Sequence, residues 1–442
     1  MTINSHVVKS TVVGALGGLL FGFDTAVISG TTHALTMTYR LTPTLLGVTV
    51  SSALIGTVLA AMTAGIPGQR FGRRDSLRIM AAFYVISAVG CAFAWNWTAL
   101  IVFRFIGGVG IGGSSVLGPM YIAEIAPTEW RGRLVGFFQV NIVVGILLAY
   151  MSNYWIASMH IGAHEWRWQL GISGVPAILF LIALFGIPRS PRWLAMKAKL
   201  GEALDVLRLT GAPEPEKELD EIVASIHLER SASAEPLFSR KYRLPVFLAI
   251  TVGMFCQLSG INAILYYLND IFAMAGASKI SGDIQAVAVG AMNLVATLLA
   301  MAVIDRIGRR KLLLIGTVGL TACLAAISFV FFTHSHLGWL VWLLMAYIAC
   351  FAVSQGAVVW VYISEVFPTV VRSKGQSLGS SSHWVTNAVI SLVFPVMATS
   401  SGAYPFIFFA AMMMIDFFIV LFYYPETNGI SLEQMQHSFG IE

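Results

Sequence analysis

Twelve apolar stretches run along the chain, each near the roughly 20 residues that a membrane-crossing helix needs. They fall near residues 10–30, 45–66, 76–96, 98–122, 134–157 and 168–188, and then near 244–275, 283–304, 311–333, 337–363, 376–398 and 403–424. The pattern predicts an all-α polytopic membrane protein of twelve spans. The first stretch follows Lys9 in the manner of a signal peptide. No small-x-small cleavage site closes it, and eleven similar stretches follow, so it reads as a retained first span.

The interval 189–243 has a different texture, with ten Lys/Arg and nine Asp/Glu. Leu200, Ala203, Leu204 and Leu207 recur at helical spacing there, as do Leu219, Ile222, Val223 and Ile226. A few short amphipathic helices on the cytoplasmic side are expected, with a disordered linker as the alternative. The expected organisation is a six-helix bundle at 1–188, the helical linker at 189–243, a second six-helix bundle at 244–424 and a cytoplasmic tail at 425–442.

Composition strengthens the membrane reading. Of the 442 residues, 57% are hydrophobic and only 11% charged, against about a quarter charged in soluble domains. Mean hydropathy is +0.78. The net charge of +5 needs no nucleic acid, because the basic residues alternate between loops. Arg70, Arg73, Arg74 and Arg78 lie between spans 2 and 3, and Arg131 and Arg133 between 4 and 5. Arg306, Arg309, Arg310 and Lys311 follow span 8, and Arg372 and Lys374 precede span 11. The opposite loops hold few, which predicts both termini on the cytoplasmic side of the plasma (inner) membrane. The four cysteines lie singly in apolar segments and read as small hydrophobes.

The two halves repeat each other. YIAEIAPTEWRGRL (121–134) matches YISEVFPTVVRSKG (362–375), 241 residues on; Gly72-Arg73-Arg74 matches Gly308-Arg309-Arg310, 236 on; Pro188-Arg-Ser-Pro matches Pro425-Glu-Thr loosely, 237 on. Parallel six-helix repeats imply a substrate site between the halves near the midplane, opened alternately to each side.

These motifs, with GFDTAVISG (22–30), GQRFGRR (68–74), PRSPRWL (188–194), CQLSGINAILYY (256–267), DRIGRR (305–310) and PETNG (425–429), occur in one order along nearly the whole chain. The set resembles the sugar porter family of the major facilitator superfamily, most nearly its bacterial sugar–proton symporters and then the glucose facilitators. The resemblance implies a twelve-helix transporter, not an enzyme, that imports a monosaccharide (hexose or pentose) by proton symport with alternating access. No cofactor is implied beyond the co-transported proton. The expected partners are the sugar, protons and the lipid bilayer, with no nucleic acid, and the chain is expected to work as a monomer. Four positions depart from the family pattern. Arg189 stands where Glu is usual, Gln69 where Asp is common, Ser373 in place of a Gly, and Cys256 at the first of two adjacent glutamines.

Asp24 lies inside the first span, where an ionised carboxylate is costly unless a cavity or cation receives it. Arg104, inside the fourth span, is the natural partner. A carboxylate balanced between burial and a cation can bind and release a proton. The resemblance places the same two residues opposite each other in proton-coupled members, whereas facilitators generally lack the acid. A fixed structural pair is the other reading. A neutral polyol asks for groups that both donate and accept, and an amide left unpaired in a dry site costs about 1–3 kcal/mol. Gln139, Gln257, Asn262, Asn293 and Asn387 fit, and each matches a family sugar contact. Phe21, Trp360 and Trp384 match its stacking positions, while Tyr266 and Tyr267 would cover the sugar as a ceiling or gate.

Ser259-Gly260 breaks the helical pattern of span 7, where backbone groups are exposed to substrate or a glycine simply packs. At the arginine-rich end Arg73, Arg74, Glu124, Arg131, Arg133, Arg309, Arg310, Glu365 and Arg372 are candidates for ion pairs of a cytoplasmic gate, with Glu124 near Arg131/Arg133 and Glu365 near Arg372/Lys374. Bare positive-inside topology is the alternative. Gly108-Val-Gly110-Ile-Gly-Gly113 spells a dinucleotide fingerprint but lies inside a span, where close helix packing accounts for it. No metal site and no nucleophile–base pair is suggested. His383, beside Trp384, says little alone. Asp416, mid-way in the last span, has no role from the resemblance and is expected either to be hydrogen bonded to span 10 or 11 or to stay protonated. A facilitator with a structural Asp24 and a transport-inactive sugar sensor remain as alternative functions. The short ends outside the spans disfavour the sensor.

Overall fold

A computed structural model describes residues 4–127, 129–232, 236–368 and 371–428. The tail expected beyond Asn428 lies outside the described residues. All regular structure among them is helical.

Among the described residues, eleven helical stretches are long and apolar enough to cross a membrane. They are span 1 (Ser5–Gly30), span 2 (Pro43–Thr63), span 3 (Arg73–Ala92), span 4 (Trp97–Ile125), span 5 (Arg131–Ser158), span 6 (Glu165–Gly186), span 7 (Arg240–Tyr266), span 8 (Lys279–Ile304), span 9 (Arg309–Thr333), span 10 (Leu337–Glu365) and span 12 (Ala403–Tyr423). Span 11 is the helix Arg372–Ser400, 29 residues long. It falls short in hydropathy because Ser377, Ser380, Ser381, Ser382, His383, Thr386 and Asn387 crowd its first half. A membrane-length helix that is polar along one stretch has something other than lipid to face.

Span 6 breaks between Glu165–Gly171 and Gly174–Ala183, and spans 7 and 10 are interrupted as well. Span 7 consists of Arg243–Leu258 and Ile261–Tyr266, followed by Leu268–Met274. Its first break falls at Ser259-Gly260, as the sequence suggested. Gly260 has φ +88, and a Cβ there would strike the ring of Phe409, so only glycine fits. The freed Ser259 carbonyl accepts from Tyr347 Oη of span 10 at 2.9 Å, which satisfies the backbone in place of the missing helical bond. Span 10 divides at Ser354 into Leu340–Val353 and Gln355–Glu365.

Three helices follow in the linker: Pro191–Met196, Leu200–Thr210 and Pro215–Ala232. Ala203 is buried against Trp193 and Leu194, and Leu207 is buried as well. Leu200 stays exposed, so the apolar stripe begins one turn later than its spacing suggests.

The chain forms two compact units. The first holds residues 1–24, 55–146 and 170–234; the second holds 25–54, 147–169 and 235–442. Their boundaries cut spans 1, 2, 5 and 6 part-way along. The glycine run of span 4 lies in the first unit and serves close packing. A Cβ on Gly112 would reach the carbonyl of Thr57 in span 2, and Thr57 Oγ1 donates to the Gly108 carbonyl at 3.1 Å.

Candidate functional site: a buried acid–arginine pair, an amide–indole cluster and two repeated ion clusters

In the first unit, span 1 presses directly onto span 5. A Cβ on Gly22 would coincide with the Ile142 carbonyl, so the bare glycine fixes the height at which Asp24 sits two residues on. Asp24 Oδ2 lies 3.6 Å from a terminal nitrogen of Arg104, whose side chain is 3% exposed against 22% for the acid. This is an ion pair without a tight hydrogen bond. Arg104 Nε is buried with no partner among the described residues. Tyr84 and Ser114, hydrogen bonded at 3.2 Å, complete the polar surroundings. Phe21 and Gln139, both half-buried, belong to the same unit.

The second unit gathers most of the other predicted sugar residues. Gln257 is 2% exposed; its Nε2 donates to His383 Nε2 at 2.8 Å. Its Oε1 accepts from Asn262 Nδ2 at 3.1 Å. His383 lies between two indoles, with ring centroids 4.8 Å from Trp360 and 5.3 Å from Trp384. Asn387 Nδ2 donates to Tyr266 Oη at 3.3 Å. Asn293 is buried on span 8. Tyr267 faces elsewhere: it donates to the Ser391 carbonyl at 2.9 Å and stacks on Phe394. Cys256 joins the apolar core with Val252 and Val359 and is not part of the amide group.

His383 is the residue that sequence reasoning undervalued. As the acceptor of the Gln257 amide its ring is neutral at that nitrogen. The signal that could have found it was its place in the polar run of span 11, one helical turn before Asn387.

At the arginine-rich end each unit builds one ion cluster. Arg73 donates from Nε to Glu124 at 3.0 Å and from Nη1 to the Gly68 carbonyl at 2.9 Å. The other Glu124 oxygen accepts from Ser190 at 2.5 Å. In the second unit Arg309 donates to Glu365 at 3.1 Å and to the Ile304 carbonyl at 3.4 Å. The other Glu365 oxygen accepts from Thr427 at 2.6 Å. Arg74 and Arg310 donate to the carbonyls of Ile187 and Leu421. The acids therefore pair with the arginines of the two GRR motifs and not with those downstream of them. Arg131 and Arg133 stand on the exposed first turn of span 5, with Arg133 over the Trp130 ring. Arg372 Nε bonds the Phe367 carbonyl at 3.4 Å. The reason is geometric: spans 3 and 4 pack side by side, which brings Arg73 to Glu124 across 51 residues of sequence. Both acids thus close clusters inside their own unit.

Asp416 is buried on span 12, and Gln355 Nε2 of span 10 donates to its Oδ2 at 2.6 Å.

A twelve-helix chain in two repeated six-helix halves, with these clusters at the repeat offset, has the fold of the major facilitator superfamily. The profile of the family described as sugar (and other) transporter matches residues 10–439; the chain belongs to that family of membrane transporters. It is 36% identical over 440 residues to an arabinose-proton symporter of Bacillus subtilis (97% of this chain, 94% of the relative). It is 34% identical over 472 residues to the D-xylose-proton symporter of Escherichia coli K12 (98% and 96%). Among solved structures, the xylose transporter XylE from E. coli in a partially occluded inward-open conformation superimposes with a TM-score of 0.87 at 32% identity, covering 97% of this chain and 100% of that one.

Proposed function

We propose that this protein imports a monosaccharide together with a proton. The observation that carries the reading is the pairing of Asp24 with Arg104 at 3.6 Å inside the membrane. The pair is close enough for the charges to sense each other and loose enough for a proton to displace the arginine. An acid proton entering from outside neutralises Asp24 and loosens its hold on Arg104. The sugar then engages the amides of Gln257, Asn262 and Asn387 and the indoles of Trp360 and Trp384. The transporter changes access, and both solutes leave inward. The membrane potential contributes about 2.3 kcal/mol per charge per 100 mV, which favours cation-coupled uptake over a plain facilitator.

Relatives named as symporters of arabinose and of D-xylose support the coupling and the substrate class. The arginine distribution supports cytoplasmic termini. In proteoliposomes, sugar accumulation should rise with an imposed inward proton gradient and collapse with an uncoupler. Uptake indifferent to the gradient would return the protein to the facilitators. A thermal-shift screen over pentoses and hexoses identifies the sugar, and the ligand that stabilises wild type should lose most of its shift in Gln257→Ala.

A further inference from the structure

At the end of the spans that is poor in arginine, the second unit ties residues 25–54 and 147–169 to the C-terminal half. Tyr150 Oη donates to the Leu265 carbonyl at 3.0 Å, while Asn153 Nδ2 braces spans 5 and 1 within the N-terminal half by donating to the Val27 carbonyl at 3.1 Å. Lys279 and Glu165 pair at 2.6 Å. In transport by alternating access, a seam of this kind between the two sequence halves must open and close.

Two carboxylates sit in this seam. Asp283, on the first turns of span 8, is wholly buried. Asn269 Nδ2 donates to its Oδ1, and Asn269 Oδ1 in turn receives Ser29 Oγ of span 1 at 3.1 Å. Asp283 Oδ2 has no partner among the described residues. Asp270, adjacent to Asn269, shares a side-chain hydrogen bond with Thr32, and its Oδ2 is likewise buried and unpartnered. The charged groups near Asp283 are Lys279 and, more weakly, Glu165, which are paired with each other. Span 5 presents Tyr150 and span 7 Tyr266 to this region. His33, on the helix Thr32–Tyr39, is exposed.

An ionised carboxylate with a bare oxygen in a dry interior is unfavourable, and Lys279, the cation near Asp283, is itself engaged by Glu165 at 2.6 Å. The neutral acid removes that penalty, and opening the seam to water removes it too. Protonation and closure therefore favour each other.

We propose that Asp270 and Asp283 form a second proton-binding site, separate from Asp24, whose occupation closes the arginine-poor end of the transporter. With that end facing outward, as in the import reading above, external acid lets the gate shut over bound sugar and external alkali holds it open. The linkage itself depends neither on which sugar is carried nor on Asp24.

The test is a spin-label distance between Met37→Cys and Ala273→Cys, in full-length protein whose four native cysteines are replaced, reconstituted in lipid without sugar or gradient. Raising the pH from 5.5 to 8.5 should move the population from a short to a longer distance, by up to about tenfold in ratio per pH unit for each proton released. Asp270→Asn/Asp283→Asn should hold the short distance at both pH values. Asp283→Asn alone, which keeps the side-chain shape, should lose about half of the response if the double variant does not fold. Asp24→Asn should leave the response in place. A wild-type distance indifferent to pH, or an unchanged response in the Asp283→Asn protein, overturns the proposal. Gradient-independent sugar uptake would instead sink the symport reading and leave this response intact.

Discussion

The ion clusters of the two units are built to one plan from residues 236 to 241 positions apart, yet their accessory charges are exchanged. Arg73, Glu124 and Ser190 in one correspond to Arg309, Glu365 and Thr427 in the other. Tyr121 bonds the Pro188 carbonyl at 2.9 Å, as Tyr362 bonds that of Pro425 at 3.2 Å. Around this frame the first unit places an acid on the helix itself. Asp75, in the first turn of span 3, accepts from Arg78 at 2.7 Å and from Arg189 of the returning chain at 3.1 Å. In the second unit the helix carries Lys311 at the matching position, and the returning chain carries the acid. Glu426 accepts from the backbone N–H groups of Arg309 at 2.8 Å and Arg310 at 3.2 Å.

Both arrangements put negative charge at a helix N-terminus among arginines, where the helix dipole and the free N–H groups favour it. What repeats is the electrostatic requirement, and which strand of chain meets it is free to change. That accounts for Arg189 at a position where the family usually has Glu: the acid is supplied by Asp75 across the contact.

The comparison breaks most visibly at the central acids. Arg73 and Glu124 side chains are 7% and 8% exposed, whereas Arg309 and Glu365 are 10% and 26% exposed, and Arg309 also holds Asn428 at 3.0 Å. Glu124→Gln should therefore cost roughly 3–5 kcal/mol, the loss expected when a buried charge is orphaned. Glu365→Gln should cost about 1–3 kcal/mol. Thermal unfolding in detergent reads both, and equal losses would erase the distinction. Ser190→Ala and Thr427→Ala each remove one hydrogen bond to a carboxylate, and both should cost about 1.5 kcal/mol; matching losses would sharpen the equivalence of the two frames.

The exchanged charges are tested by Arg189→Glu, which sets two acids face to face. A loss of about 1 kcal/mol is expected for so exposed a pair. Adding Asp75→Lys, which recreates the sign pattern of the second unit, should recover most of it, and a double-mutant cycle with no coupling would count against the exchange. The smallest effect belongs to Glu218, in the linker. Burial holds its carboxyl above the usual 4.5, and nearby Arg131 opposes this. A raised carboxyl contributes stability at low pH that fades as pH rises through 4.5 and above. Glu218→Gln should thus leave melting at pH 7 unchanged or slightly higher, and flatten its fall between pH 4 and 7.

The spans were legible in the sequence because each carries its own lipid-length apolar run, and even the polar span 11 was marked by its neighbours. Asp24 and Arg104 were legible as isolated charges in apolar surroundings. The partners of Glu124 and Glu365 were legible only as a set, in which Arg73 and Arg309 stood beside the nearer arginines. Proximity in sequence suggests Arg131 and Arg372, while helix packing brings Arg73 and Arg309 instead. His383 and Asp283 were hidden for a related reason. Each acquires meaning only from an amide on another helix, Gln257 in one case and Asn269 in the other, and no local pattern encodes that meeting.

The pair on which transport is proposed to turn is tested most directly by Asp24→Asn in proteoliposomes, comparing sugar accumulation under an inward proton gradient with sugar exchange at equilibrium. The variant should exchange labelled sugar across the membrane and fail to concentrate it, whatever gradient is imposed. Accumulation equal to that of the unmodified protein would contradict a coupling role for Asp24.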